Sequence, residues 1–163
     1  MPTGVHELFI DRVEDAIRSQ LKTIRSGDDK AASFAWKVWP ARSTIIHFPV
    51  ENAPFNTRSK YEPDASFWHD DAKYPGIIIE VAYSQKKKRL DRLAENYLMD
   101  SNASVRVVVG LDIEYGKMGS RKATLSVWRT RVVHTTSGDE LHVVKDIADE
   151  VSYIFQASSS PMF

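Results

Sequence analysis

The chain has no cysteine among its 163 residues, so a disulfide framework and thiolate chemistry are excluded, and His, Asp and Glu are left as the metal-ligating side chains. Net charge is lacking too. Lys plus Arg and Asp plus Glu stand at 22 each, so no global field draws the protein to a polyanion, and any nucleic-acid affinity has to come from a local patch. Long apolar runs are missing: none approaches the roughly 18 residues of a membrane span. Glu7, Asp11, Glu14 and Asp15 interrupt the N-terminal apolar residues, so a signal peptide is not expected there. These absences lead us to expect a soluble protein, intracellular in the cytoplasm or nucleus, with no membrane contact.

Several motifs are absent as well. His6, His47, His69, His134 and His142 show no H-x-x-x-H spacing, which argues against zinc. Gly110 has no G-x-G-x-x-G around it, and Ser84 and Ser126 no G-x-S-x-G, which argues against a dinucleotide site and a serine hydrolase. What is present is core material: 42% hydrophobic and 10% aromatic residues, enough for one well-packed domain. We place that domain at residues 1–156 and a flexible Ser-rich tail at 157–163.

Val5, Leu8, Phe9, Val13, Ala16, Ile17, Leu21 and Ile24 recur at three- and four-residue intervals and predict an amphipathic helix over 4–25, stopped by Ser26-Gly27. The aromatic and β-branched stretch 31–48 predicts two short strands, Phe34–Trp39 and Ser43–Phe48, followed by a loop up to Lys60. Pro63–Trp68 and Gly76–Tyr83 predict a hairpin in the middle of a sheet. Leu90, Leu93, Ala94, Tyr97 and Leu98 restore the helical stripe over about 86–99, and 105–113 reads as a buried strand. A strand, a helix and a strand in that order predict a right-handed crossover between parallel neighbours. Residues 117–122 read as a turn and 123–133 as a strand, while 142–155 fits either a helix or a strand. The fold class expected is α/β.

The informative segment is Pro63-Asp64 followed by Ile77-Ile78-Ile79-Glu80-Val81-Ala82-Tyr83-Ser84. In a hairpin, Asp64 and Glu80 converge, offering hard oxygen ligands of the kind Mg²⁺ or Mn²⁺ takes. A carboxylate inside an apolar strand is costly unless it is paired or bound to metal. The other reading for Glu80 is therefore a buried Arg partner such as Arg89 or Arg106, and for Asp64 a turn residue after proline.

This arrangement resembles the PD-(D/E)XK, or restriction endonuclease-like, superfamily, whose helix-strand-strand-strand-helix-strand core matches residues about 4–113. Within it, Pro63-Asp64, Glu80-Val81, Ser84 and Tyr97 look closest to the Uma2-like branch. Stretches such as Glu80–Gln85 and Val108–Tyr115 are also similar to those of a group of fungal proteins. The resemblance implies a mixed central sheet flanked by helices, and a nuclease that cleaves phosphodiester bonds of DNA or RNA with Mg²⁺ or Mn²⁺. Asp64, Glu80 and the Val81 carbonyl would be the metal ligands. The family's lysine would fall two residues after the glutamate, where this chain has Ala82. Since that lysine migrates onto the following helix in some members, Lys86 is the first candidate to replace it, with Lys88 or Gln85 behind it.

Ser84 shares a strand face with Glu80, and Glu14 is the candidate for the acid that many members add from the first helix. Lys86, Lys87, Lys88 and Arg89 would meet the phosphate backbone; their bland reading is a solvated helix start, although positive charge there opposes the helix dipole. The loss of lysine at Ala82 also permits a catalytically inactive descendant, a nucleic-acid-binding or protein-interaction module. A homodimer is one assembly the resemblance implies.

Overall fold

The computed structural model describes residues 4–50, 57–84, 87–114 and 122–152. Its elements run α1 (Gly4–Arg25), α2 (Lys30–Trp36), β1 (Val38–Pro40), β2 (Ile46–Pro49), β3 (Arg58–Tyr61), β4 (Ala65–His69), β5 (Ile77–Ser84), α3 (Lys87–Asp100), β6 (Val107–Glu114), β7 (Lys122–Thr135) and β8 (Gly138–Ser152). Six strands form one mixed sheet in the order β1-β4-β5-β6-β7-β8, and β2 and β3 form a separate ribbon. The fold is α/β. Among the described strands only β5 and β6 are parallel, as expected from the helix between them, because a parallel neighbour needs a crossover that carries the chain back to its starting end.

Period-two alternation along β5 and β6 sorts the core into two layers. On one face, Ile10 with Val13, Ile17 and Leu21 of α1 packs on Ala65, Phe67, Ile77, Ile79, Val81 and Val109. On the other, Leu90, Ala94, Tyr97 and Leu98 of α3 pack on Ile78 and Val108, joined by Trp128 and by Ile46 and Phe48 from the small ribbon. The central strands are apolar on both sides for that reason.

Three expectations need correction. Phe34–Trp39 is not a strand: residues 30–36 form α2, and only Val38–Pro40 extends, as β1. The Asp29 side chain accepts from the Ala32 N–H at 2.8 Å and caps that helix, while Ala32 and Ala35 turn inward. A cap and small inward residues outweigh the strand propensity of Phe34 and Trp36. The loop expected up to Lys60 ends earlier, because Arg58–Tyr61 pairs with β2. The ambiguous 142–155 segment is strand as far as Ser152, since β8 pairs with β7 along their length; the remainder of that stretch, the turn at 117–121 and the tail at 157–163 lie outside the described residues.

The sheet edge at β1 is closed against further pairing. The Arg25 guanidinium donates to the Ala35 and Val38 carbonyls at 2.9 and 2.6 Å, and Pro40 has no N–H to offer. The opposite edge, β8, carries neither device along Gly138–Asp146.

Candidate carboxylate site

The β4–β5 hairpin pairs Ala65 with Ile79. One further step along each strand sets Asp64 opposite Glu80, so the hairpin brings the two acids together as expected. The paired register ends at Ala65, and the Val81 N–H beyond it would lack a partner. The Asp64 carboxylate takes that place, accepting from Val81 N at 2.7 Å. Its other oxygen lies 3.2 Å from His6 Nε2, on the first turn of α1. Asp64 therefore extends the ladder and ties helix to sheet, and each of its oxygens keeps lone-pair capacity for a further ligand.

Glu80 faces α3. Its partner is neither Arg89 nor Arg106 but Tyr97, whose hydroxyl donates to Oε1 at 2.6 Å between two buried side chains. Directly across β6 from Glu80 stands Gly110. A Cβ at Gly110 would come within 2.5 Å of the Trp128 ring and 2.8 Å of Leu90, so the missing side chain is what lets Trp128 and Leu90 close over this part of the sheet. The result is an apolar surround. Glu80 is 8% exposed, and burial pushes its carboxyl up to about 8; the nearby Asp64 adds to the rise, while the Tyr97 hydrogen bond and the Arg89 charge oppose it. Burial and a second carboxyl close by both disfavour the charged form of Glu80.

The other expected site residues fall in different places. Glu14 is buried and pairs with Arg18 at 3.4 Å. It sits two turns beyond His6, about 12 Å along the helix axis, so the α1 residue that reaches Asp64 is His6. Arg89, the alternative buried partner of Glu80, is exposed at the start of α3, and the buried residue is its neighbour Leu90. Ser84 lies on β5 and Lys87 and Lys88 on α3, whereas Gln85 and Lys86 lie outside the described residues. Val81 enters the site through its backbone.

Sequence reading missed three participants. Tyr97 was visible as a core residue of the helical stripe, but its tyrosine hydroxyl, which needs a partner when buried, was the unused signal. His6 gave none. Asp112, buried in β6 opposite Ala82, brings a third carboxylate to the face that carries Glu80; an acid inside a β-branched run was the sign.

The donor set suits a hard cation of modest demands. Among the described residues, no group of three or more His, Asp or Glu stands where it could hold a metal ion. Asp64 and Glu80 are the adjoining carboxylates that could ligate a cation here, and water or substrate oxygens would have to complete its shell. A cation would replace the proton that Glu80 now holds. Comparison of the chain with protein-family models, curated proteins and solved structures gives no match.

Proposed function

We propose that this chain is a metal-dependent nuclease built on a restriction endonuclease-like core, with Asp64 and Glu80 as its cation ligands. The observation that carries the reading is the pair itself: two acids held on adjoining strands, one of them kept protonated near neutral pH by its surroundings. Such a pair costs stability unless a proton or a cation relieves it, and rigid strands are where a metal-binding constellation keeps its geometry. Support also comes from the order α1, β1, β4, β5, α3, β6 and from the adjacency of those four strands in the sheet.

A bound Mg²⁺ or Mn²⁺ would activate water and offset charge on a phosphodiester oxygen. The chain's own part is to aim Asp64 through Val81 N–H and His6, to seat Glu80 through Tyr97, and to offer the Val81 carbonyl as a further ligand. Lys86 and the Lys87–Arg89 run would carry the phosphate backbone of DNA or RNA. Ala82 favours a second reading, a binding module of the same fold without cleavage, because the position two residues after Glu80 supplies no cation.

The test is a Mg²⁺ and Mn²⁺ titration followed by thermal shift on wild type, Asp64→Asn and Glu80→Gln, with cleavage of labelled single- and double-stranded DNA and RNA in the same buffers. Stabilisation and cleavage that vanish together in the variants are expected. Salt-sensitive nucleic-acid binding with no metal response would select the binding module, and no response of either kind would remove both.

A further inference from the structure

The β7–β8 hairpin outruns the sheet. β6 pairs with β7 only from Ala123 to Arg129, whereas the β7–β8 ladder continues to Thr135 and Gly138. Beyond Arg129 the two strands leave β6 and continue as a two-stranded ribbon, of which Val143 still packs against the core, and a two-stranded ribbon alone is marginally stable in water. One of its faces is apolar: Val132 is 53% exposed, pairs with Leu141, and stands next to the Thr130 and Val143 pair. No described strand lies on the outer edge of β8.

The direction of the free backbone groups follows from the turn. Thr135 and Gly138 close a two-residue loop, and the pair that closes such a loop is hydrogen-bonded. Alternation then turns Glu140, His142 and Val144 inward to β7, and turns the N–H and C=O of Asp139, Leu141, Val143 and Lys145 toward the open edge. A two-fold axis normal to the sheet and centred on His142 would place Asp139 opposite the partner copy's position 145, and Leu141 opposite its position 143. On the face that carries Leu141, Asp139, which also pairs with His134, then meets the partner copy's Lys145, which also pairs with Asp91, and Leu141 meets Val143 between them; on the other face Glu140 meets Val144 and the two His142 side chains meet on the axis. The outward-turned residues also meet outward-turned residues, giving about eight new backbone hydrogen bonds.

Neighbouring registers are worse. Centring on Val143 sets Glu140 against a second Asp146 and Leu141 against a lysine, and centring on Leu141 shortens the ladder and sets Asp139 against a valine.

We infer that β8 is a self-complementary edge through which two copies of this chain join, antiparallel and centred on His142, into one continuous sheet of twice the width. The joined ribbons bring the exposed Val132 and its pair Leu141 of each copy into one apolar strip with Val143, which packs on the core. Net charge is zero, so no long-range repulsion opposes the approach. The inference is independent of the carboxylate pair, which lies just before β4 and on β5.

The chain contains no cysteine, and this allows a test specific to register. Under mild oxidation at about 100 µM, a range in which an interface of this limited size should associate, His142→Cys is expected to form a disulfide-linked dimer, because residues on the dyad face each other within bridging distance. Glu140→Cys and Val144→Cys should not, since each lies two residues off the dyad from its own copy. Sedimentation of the wild type should show a dimer that dissociates on dilution, with the Leu141 and Val143 amides exchanging faster as it does. Val143→Pro, which removes one outward N–H and leaves the β7 ladder intact, should be monomeric with its thermal transition retained.

A wild type that stays monomeric at that concentration overturns the inference, as does equal cross-linking at positions 140 and 142. Slow exchange of the Leu141 and Val143 amides at every dilution also overturns it, because it would mean that the chain itself covers the edge.

Discussion

Glu80→Gln in the absence of divalent cations should make the protein more stable at alkaline pH and leave it nearly unchanged at acidic pH. The wild-type carboxyl has its ordinary value of 4.5 in the unfolded chain and is pushed up to about 8 in the folded one. Below 4.5 both states hold the proton and the group contributes nothing. Between 4.5 and 8 the unfolded state releases it while the folded state keeps it, so folding stability falls as pH rises; above 8 the loss is complete and stability levels off. At 1.36 kcal/mol for each unit of displacement, the full loss is on the order of 5 kcal/mol. That is a large share of the 5–15 kcal/mol typical of a domain.

Glutamine mimics the protonated acid: its carbonyl still accepts from Tyr97, and its amide donates on the side where Asp64 lies. The variant should therefore match wild type within about 1 kcal/mol near pH 5 and exceed it by roughly 4 to 5 kcal/mol near pH 9. Urea denaturation across that range, with chelator present, measures the difference directly. A stability difference that is the same at both ends of the range would refute the argument, because it would show that Glu80 does not change its proton affinity on folding.

Two further substitutions probe the walls of the site. Tyr97→Phe removes the 2.6 Å hydrogen bond to Glu80; it should cost about 1–3 kcal/mol and move the Glu80 titration, followed by side-chain carboxyl NMR, to higher pH, since this bond favours the ionised form. Gly110→Ala should cost about 1–3 kcal/mol by overpacking, because its Cβ would overlap the Trp128 ring and Leu90, and a red shift in Trp fluorescence should accompany it as the ring is displaced toward water.

The pairing of Asp64 with Glu80 was legible because it rests on local rules: a strand of alternating faces, a short connection and a Pro-Asp start. How the pair is held was not. The hydrogen bond from Tyr97 joins residues on a helix and a strand, and the contact of His6 with Asp64 joins residues 58 positions apart, so each depends on how helix and sheet dock. The alternative of a buried Arg89 as the partner of Glu80 failed for a related reason. Helical periodicity assigns a residue to the border of a stripe, but the docking of α3 decides whether a border residue turns in or out, and here Leu90 takes the inward place.

By itself the sequence determined the class of fold, the long helix α1, the β4–β5 hairpin, the parallel crossover through α3 and the carboxylates that meet at its end. All of these follow from hydrophobic period, turn residues and the need of a buried acid for a partner. Only the tertiary structure decided that residues 30–36 are helical, that β8 is a strand with no described strand on its outer side, that Tyr97 is the partner of Glu80, and that Gly110 makes room for the Trp128 ring beside it. Those outcomes turn on contacts between segments far apart in the chain, where packing and burial override the weak local preferences of each segment.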